Sequence, residues 1–498
     1  MSASAPPVAD PRRWKALVFI CLAQLMVVLD GTIMNIALPS AQQALGFSDG
    51  SRQWVVTAYA LAFGGLLLFG GRIADLWGRK QAFVTGVLGF AAASALGGAA
   101  VNTAMLLGAR ALQGAFAALL APAALSLISV MFTETKERAK AFGIYGALAG
   151  GGAAIGLLLG GALTEYLNWR WTLYVNIVFA VAAATGALKA VRVSEGDRHR
   201  ARLDVPGVLL ATSGLVSIVF GLSKAETDGW SASTPLALLG AGVVLLAAFV
   251  FVENRVKAPL LPPRVLLNRN RGGAYLALGL AVVGMFGLLL FLTFYLQVVR
   301  GYRPLTAGLA FLPMTVGMMI GSVGLGTRLA PRVPARLLMA PGLLLAAAGL
   351  ALLAQITPTS SYAAIVAPGM FVMGLGLGLT FMPAISLATV AVRPQDAGVA
   401  SAMVSTSQQI GGAIGTALLN TLATSSTNDY FRTHHPAGPT ARQTAMDALV
   451  HGFSTAIWWA AGILTLAAAI AAVLITHRPT SSKTATAPQG EQTPADTR

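Results

Sequence analysis

One acid and one arginine stand out in this chain because each lies inside a long run of apolar residues. Asp30 falls within the run 15–38, and Arg110 falls within the run 103–130. A charged side chain at that depth in a bilayer is costly, and by default it indicates a functional site. Burial favours the neutral acid and a nearby cation favours the carboxylate, so the surroundings decide when such a group binds a proton. The chemistry that these two residues allow is proton exchange.

Distances along the predicted helices put the two charges at a similar depth. At about 1.5 Å per residue, Asp30 lies roughly 22 Å from Lys15, and Arg110 lies about 12 Å from Asn102 on the opposite side. In a hydrocarbon core about 30 Å thick these depths nearly coincide, and Tyr59 reaches a similar level. A proton relay between Asp30 and Arg110, with Tyr59 beside it, is therefore allowed by geometry. A static ion pair that locks two helices together is the alternative interpretation.

Polar and aromatic side chains at mid-depth are candidates for contacting a substrate. Gln113 lies on the same helix face as Arg110, where it could orient the guanidinium or contact a substrate. Gln408 and Gln409 lie about 15 Å into their apolar run, and interhelical hydrogen bonds are the alternative role for such amides. Aromatic residues such as Phe294 could line a cavity, although they are more often packed in a core. The predicted substrate-binding residues are Tyr59, Gln113, Phe294, Gln408 and Gln409.

The composition indicates the surroundings in which these residues must be placed. The 498 residues are 56 % hydrophobic and 10 % charged, whereas soluble proteins average about 25 % charged residues. Repeated apolar runs of about twenty residues predict an integral membrane protein, with the lipid bilayer as its environment. The net charge of +16 comes without a basic helix interleaved with aromatic residues, so no nucleic-acid partner is predicted. The single cysteine, Cys21, excludes an intrachain disulfide.

Fourteen apolar runs are long enough to be transmembrane helices. The predicted spans are 15–38, 53–73, 81–101, 103–130, 140–163, 170–190, 206–224, 233–253, 272–298, 305–328, 335–355, 362–390, 398–423 and 452–476. An even number of spans puts both termini on one side of the membrane. That side would carry 26 of the 34 Lys and Arg residues, so the positive-inside rule predicts cytoplasmic termini.

An internal repeat groups these spans into two halves. The stretch Gly71–Asp75 is echoed by Thr327–Pro331, and membrane proteins built from two related halves place their binding site between them. The predicted domains are a cytoplasmic tail at 1–14, an N-terminal six-helix bundle at 15–190, an inserted pair of transmembrane helices at 206–253, a C-terminal six-helix bundle at 272–476 and a disordered cytoplasmic tail at 477–498. We expect the inserted pair to lie beside the core, away from the site between the halves.

Two glycine-containing stretches predict close contacts between helices. In the loop that follows the second span, Gly71 and Gly78 allow a tight turn or a close approach, while Arg79 and Lys80 mark the loop as cytoplasmic. The fifth span carries glycines at four-residue spacing, which let membrane helices pack closely. The predicted helix-packing motif consists of Gly152, Gly156, Gly160 and Gly161.

Four motifs in order carry a resemblance to a known family. The pattern Gly-x-x-x-Asp-x-x-Gly-Arg-Lys at 71–80 resembles the signature loop of the major facilitator superfamily. The stretches Leu29–Pro39, Arg110–Gly114 and Gly150–Gly161 are similar to motifs of its fourteen-helix drug:proton antiporter branch. The resemblance implies an all-α membrane protein with two six-helix bundles and two inserted transmembrane helices. The family usually has Gly-Pro in the fifth span, where this chain has Gly156 followed by leucine.

The resemblance implies proton-driven export of amphipathic small molecules such as drugs or antibiotics, by alternating access. Asp30 and Arg110 would couple transport to protons. The chain has no Gly-x-x-x-x-Gly-Lys-Ser/Thr sequence to bind ATP, so the proton gradient would supply the energy, and no cofactor or metal is predicted. The loop would latch the cytoplasmic side through Gly71, Arg72, Asp75, Gly78, Arg79 and Lys80. We expect a monomer in the cell membrane and no enzymatic activity. The alternatives are a metabolite importer or symporter on the same fold, and a lipid flippase.

Overall fold

The computed structural model describes residues 12–132, 134–191, 204–256, 261, 263–330, 332–389, 397–434 and 441–476, and in these ranges the regular structure is helical. The α-helices are α1 (Arg13–Leu45), α2 (Asp49–Trp77), α3 (Arg79–Gly98), α4 (Thr103–Met131), α5 (Thr135–Tyr166), α6 (Trp171–Ala190), α7 (Val205–Asp228), α8 (Ser233–Glu253), α9 (Pro263–Leu266), α10 (Arg269–Phe294), α11 (Pro304–Ala310), α12 (Leu312–Met319), α13 (Thr327–Leu329), α14 (Ala335–Leu353), α15 (Ala367–Thr389), α16 (Ala397–Thr433) and α17 (Ala441–Leu474). Three π-helical segments, Tyr295–Val299, Ile320–Gly326 and Tyr362–Val366, continue or join them. The predicted tail at 477–498 lies outside the described residues, as does the tail 1–14 up to residue 11.

Twelve helical stretches within the described residues are long and apolar enough to cross a membrane. Helices α5 and α16, which are 32 and 37 residues long, are not among the twelve. The described residues of α5 include a shorter apolar stretch, Ile155–Tyr166. The structure therefore establishes an all-helical membrane protein, and the count of fourteen spans stays a prediction.

The predicted span 305–328 is not one straight α-helix. It is divided into α11, α12, a π-helical segment and α13. Pro313 lies in the first turn of α12, where its missing N–H cannot continue the hydrogen bonding of α11. The π-helical segment that follows, Ile320–Gly326, contains three glycines. Local residue chemistry, rather than hydropathy, decides where this span is broken.

The connections between helices define two opposite faces of the protein. We call the side that carries Gly46–Ser48 the α1–α2 face, and the side that carries Gly78 the α2–α3 face. One large core of buried apolar side chains runs from the α1–α2 face of helices α1–α6 into α10–α17, and it includes Ile36 and Phe291. A second core, which includes Phe83 and Phe132, is built from α1–α6 near the α2–α3 face. The two bundles are therefore joined by their core at the α1–α2 face.

The helix pair α7–α8 lies beside the two bundles. Helix α7 packs against both α2 and α16, and a small apolar cluster that includes Leu61, Leu215 and Ala417 fills the contact. Only 11 % of the apolar 18-residue stretch of α8 is buried, so this helix presents most of its surface to its surroundings. Because α7 contacts one helix from each bundle, the insertion covers the seam between α2 and α16.

Candidate functional site

The structure brings Asp30 and Arg110 together at the centre of the first bundle. The Nη1 atom of Arg110 lies 2.5 Å from Oδ2 of Asp30, and both side chains are only 1 % exposed. The guanidinium also donates through Nε to the backbone oxygen of Val55 at 3.0 Å. Its Cζ atom lies 4.5 Å from the ring centroid of Tyr59, which gives a cation–π contact. The charges on α1 and α4 thus form a pair that is shielded from solvent.

Two amides complete the surroundings of the Asp30 carboxylate. Gln113 donates through Nε2 to Oδ1 of Asp30 at 2.9 Å and accepts from Nη1 of Arg110 at 2.9 Å. Asn176, on α6, donates through Nδ2 to the same Oδ1 at 2.8 Å. Ser94 accepts from Gln113 at 2.7 Å and from Asn176 at 3.4 Å. We call Asp30, Arg110, Gln113, Asn176, Ser94 and Tyr59 the Asp30 cluster.

The sequence analysis missed Asn176 and Ser94. Asn176 is a single amide in an otherwise apolar stretch of α6, which is the same signal that pointed to Gln113. Ser94 gave no signal of its own, because serine is common in membrane helices and can satisfy itself by bonding to the preceding turn. It does so here, donating to the backbone oxygen of Phe90 at 2.8 Å.

Local sequence explains why α4 presents Arg110 at this position. Asn102 caps the N-terminus of α4 by accepting from the backbone N–H of Met105 at 2.8 Å. One turn after Arg110, Gly114 lets α4 approach α2 closely: a Cβ atom at this position would lie 2.3 Å from the backbone oxygen of Tyr59. This close approach brings the guanidinium within reach of the α2 backbone.

The predicted latch residues form the turn between α2 and α3 and its contacts within the first bundle. Gly78 has φ of 103°, a conformation that favours glycine, and it ends α2 and begins α3. Lys80 donates through Nζ to the backbone oxygens of Leu188 and Val191 at 3.0 and 2.8 Å, which caps the C-terminal end of α6.

The contacts of the other predicted latch residues do not identify a group that the loop would bind on the cytoplasmic side. Gly71 faces Pro122 of α4, and Nε of Arg72 is buried without a hydrogen-bond partner. Arg79 is the first residue of α3. The side chain of Asp75 lies outside the described part of the structure. The latch therefore stays a prediction, and Lys80 has a visible role in fixing α6.

The predicted helix-packing glycines contact two different helices. Cβ atoms at Gly152, Gly156 and Gly160 would lie within 3.0 Å of α1 side chains or backbone, and the four-residue spacing explains why all three face the same helix. Gly161, rotated to the next face, would place a Cβ atom 2.6 Å from Cα of Leu305 in α11. The motif therefore packs α5 against α1 and against the second bundle.

We predict that Gly160→Val will destabilise the protein by about 1–3 kcal/mol, as overpacking of a tight interface usually does. A Cβ atom at Gly160 would lie 2.9 Å from Cα of Ile33, which is backbone that cannot move aside easily. Thermal unfolding of the purified variant measures the effect. Gly462→Val is the matched control, because no heavy atom lies within 4 Å of its Cβ position. Equal melting temperatures for the two variants would contradict the packing role.

The predicted substrate residues do not form one site. Tyr59 and Gln113 belong to the Asp30 cluster, where they are 5 % and 0 % exposed. Gln408 and Gln409 are half-buried on α16, and Cβ of Gln409 would lie 2.9 Å from a Cβ atom at Gly64 of α2. Gln409 therefore sits where the two bundles meet.

Phe294 lies beneath a second buried arginine, at the α1–α2 face. The Cζ atom of Arg52, on α2, lies 4.5 Å from the ring centroid of Phe294 and 5.6 Å from that of Phe453. Its Nε donates to Oδ1 of Asn420 at 3.1 Å, and the residue is 3 % exposed. A cavity of about 240 Å³ adjoins this contact, lined by Pro39, Gln42, Gln43, Arg52, Phe294, Val298, Val299, Leu449 and Phe453. Arg52 thus connects the first bundle to α10, α16 and α17 of the second.

Further hydrogen bonds join the two bundles near the same face. The hydroxyls of Thr57 and Thr416 lie 2.7 Å apart between α2 and α16. Gln297 donates through Nε2 to the backbone oxygen of Ile36 at 2.9 Å. The backbone N–H of Leu305 donates to Oε2 of Glu165 at 3.1 Å. Together with Arg52, these contacts connect the two bundles near the α1–α2 face.

Comparison with known proteins decides the family. A family model described as Major Facilitator Superfamily matches residues 20–416. The chain belongs to the major facilitator superfamily. It is 52 % identical over 474 residues to the puromycin resistance protein pur8 of Streptomyces alboniger, covering 94 % of this chain and 92 % of the relative. It is 40 % identical to the cephamycin export protein CmcT of Amycolatopsis lactamdurans, covering 83 % and 85 % of the two chains.

Solved structures show the same fold at low sequence identity. A bacterial homologue of the human lysosomal transporter Spinster, in an inward-facing and unoccupied conformation, is similar with a TM-score of 0.66 and 19 % identity, covering 93 % of this chain and 97 % of the other. The predicted family, a multi-pass location in the cell membrane and a non-enzymatic transport role are confirmed by this membership and by the relatives. This major facilitator therefore carries its Asp30 cluster within a transporter fold.

Proposed function

We propose that this transporter exports amphipathic small molecules from the cytoplasm in exchange for protons. The observation that carries the proposal is the buried Asp30–Arg110 pair, since an acid so placed can change its protonation only together with its surroundings. Export is supported by the relatives, which are named for resistance to puromycin and for export of cephamycin. Puromycin is therefore the first compound to test. Among the described residues, no second acid lies as deep within a membrane helix as Asp30, which favours neutral, zwitterionic or singly charged substrates over dications.

The proposed topology has fourteen spans, with α5 and α16 included and both termini in the cytoplasm. The α2–α3 face is then cytoplasmic, in agreement with the excess of Lys and Arg in its connections. The α1–α2 face becomes the outer face. Arg52 and its neighbours join the two bundles at this outer face, so release of a substrate to the outside would require these contacts to open. A proton entering from outside would neutralise Asp30, loosen its pairing with Arg110 and favour release of the substrate.

Uptake into everted membrane vesicles tests this function. Vesicles with an acidified interior should accumulate puromycin, or a fluorescent amphipathic dye, through the wild-type protein, and a protonophore should abolish the accumulation. Asp30→Asn should reduce uptake to the level of vesicles that lack the transporter. The variant must be present in the membrane at the wild-type amount.

Two outcomes would contradict the proposal. Equal gradient-driven uptake by wild type and Asp30→Asn would exclude Asp30 as the coupling residue. Accumulation that requires the opposite direction of the gradient would indicate an importer instead of an exporter.

A further inference from the structure

The two amides that contact Asp30 differ in the hydrogen bonds that each would lose if its side-chain amide group rotated and exchanged its oxygen and nitrogen. Gln113 uses both ends of its amide, because Nε2 donates to Asp30 and Oε1 accepts from Arg110. Asn176 uses one end: Nδ2 donates to Asp30 and to Ser94, while Oδ1 is buried without a hydrogen-bond partner. Asn176 is 0 % exposed, so water does not reach that oxygen from the surface. The unpartnered atom belongs to a side chain in direct contact with the proposed proton acceptor.

Protonation changes which hydrogen bonds Asp30 can make. A carboxylate is acceptor-only, and the present arrangement supplies it with donors from Arg110, Gln113 and Asn176. A neutral carboxylic acid also carries an O–H group, which needs an acceptor. A proton on Oδ2 would face the guanidinium of Arg110, which can only donate. A proton on Oδ1 would face the two amide N–H groups.

If the proton is on Oδ1, its O–H group finds an acceptor only when one of the two amides rotates and presents its oxygen. Rotating Gln113 would break its bond to Arg110 and turn an NH₂ group towards the guanidinium. Rotating Asn176 loses no bond at its other end, because Oδ1 has no hydrogen-bond partner there. One polar atom of Asn176 is left unpaired in either orientation, and rotation gives up only the 3.4 Å contact of Nδ2 with Ser94. The two orientations therefore differ little in cost, and the proton on Asp30 decides between them.

We propose that Asn176 is a positioning residue for proton coupling, whose amide donates to the Asp30 carboxylate and rotates to accept from the protonated acid. The inference rests on the proposed role of Asp30. The charged and titratable groups that face Asp30 within the described structure are Arg110 from α4 and Tyr59 from α2, and the remaining partners, Gln113, Ser94 and Asn176, are uncharged. Asn176 is the partner that can exchange a donor for an acceptor with the loss of only its 3.4 Å contact to Ser94.

Infrared titration of the reconstituted transporter tests the inference without requiring transport. The carbonyl band of protonated Asp30 is obtained as the difference between wild type and Asp30→Asn across a pH series. Asn176→Leu removes donor and acceptor at nearly constant volume. The carboxylate loses one of three donors, but each of its oxygens keeps a partner in Arg110 or Gln113. The neutral acid loses the acceptor of its O–H group, which is then buried and unsatisfied at a larger cost. We expect half-protonation about half to one pH unit lower than in wild type, the equivalent of one net hydrogen bond, and a carbonyl band at higher frequency.

Asn35→Leu is the matched control. Asn35 is also buried, lies on the same helix as Asp30 and donates to the backbone oxygen of Gly31 at 2.8 Å, without contacting Asp30. Its midpoint should equal that of wild type. If Asn176→Leu does not fold, Asn176→Ala replaces it, and we expect the midpoint of Asp30 protonation to shift in the same direction.

The possible results separate this inference from the proposed function. A titrating Asp30 band whose midpoint is unchanged, or moves to higher pH, in both Asn176 variants would overturn the role of Asn176 while leaving Asp30 intact. The absence of any titrating band that depends on Asp30 would refute proton coupling itself. A shift of the same size in Asn35→Leu would mean that the change is a general effect of altered packing.

Discussion

Arg110→Leu is expected to destabilise the protein by about 3–5 kcal/mol, because it leaves the Asp30 carboxylate buried without its cation. Asp30 is 1 % exposed and would keep only the two uncharged amide donors. The same variant should export nothing, since the charge that holds the carboxylate in place is gone. Thermal unfolding in detergent and uptake into everted vesicles measure the two effects separately.

The double variant Asp30→Asn with Arg110→Gln distinguishes the two interpretations of the pair. It removes both charges, so no uncompensated ion stays buried and most of the lost stability should return. If Asp30 couples transport to protons, the stable double variant should still show no gradient-driven uptake. If the pair is only a static lock between α1 and α4, the double variant should export like wild type.

An exposed ion pair provides the control for a general effect of arginine loss. Arg432 pairs with Asp429 at 3.3 Å, and the two side chains are 80 % and 72 % exposed. Surface pairs of this kind contribute little, so Arg432→Leu should remain within about 0.5 kcal/mol of wild type. A loss as large as that of Arg110→Leu would show that burial is not the cause.

Arg52→Ala is expected to open the outer face and to slow export. The change removes cation–π contacts with Phe294 and Phe453 and a charge-assisted hydrogen bond to Asn420. In the wild type, contacts of these kinds stabilise the closed state by roughly 2–4 kcal/mol together when desolvated. Hydration of Arg52 in the open state of the wild type offsets part of this. A net change of about 1.4 kcal/mol in favour of the open state is tenfold in population.

Cysteine labelling from the outer side measures this opening. In a background with Cys21 replaced by alanine, Thr416→Cys places a thiol in the α2–α16 contact, where the native residue is 1 % exposed. A membrane-impermeant maleimide should label it at least about tenfold faster when Arg52 is alanine, in proportion to the open population.

Arg300→Ala is the control for this experiment. Arg300 lies near the same face, but its Nη1 donates to the backbone oxygen of Pro358, which belongs to the same bundle. Its loss should leave the labelling rate unchanged. Equal labelling of the Arg52→Ala and Arg300→Ala backgrounds would show that Arg52 does not hold the outer face closed.

The sequence predicted what depends on depth and residue type. The apolar runs indicated membrane helices, and the rise per residue placed Asp30, Arg110 and Tyr59 at one level, where the structure brings them into contact. Four-residue spacing predicted that Gly152, Gly156 and Gly160 share a helix face. These inferences succeed because hydropathy and helical periodicity are properties of the chain itself.

Tertiary structure decided which helix faces meet. Nothing in the spacing of Asn176 or Ser94 connects them to Asp30, because they come from α6 and α3 and reach it only when these two helices pack on α1 and α4. The position of Phe294 has the same cause. The sequence analysis predicted it as a substrate contact, and the fold places its ring under Arg52. A contact between distant helices depends on their relative rotation, which local periodicity does not specify.

The sequence by itself therefore determined the membrane class, the family resemblance and the depth of the two buried charges. Only the folded structure determined that three donors surround the Asp30 carboxylate, that Asn176 retains a spare acceptor, and that Arg52 contacts the second bundle. The physical reason is that the burial of a residue in the membrane depends on its position along its own helix, and the order of residues specifies that position. Hydrogen-bond partners are chosen between helices, after packing has fixed which side chains are neighbours.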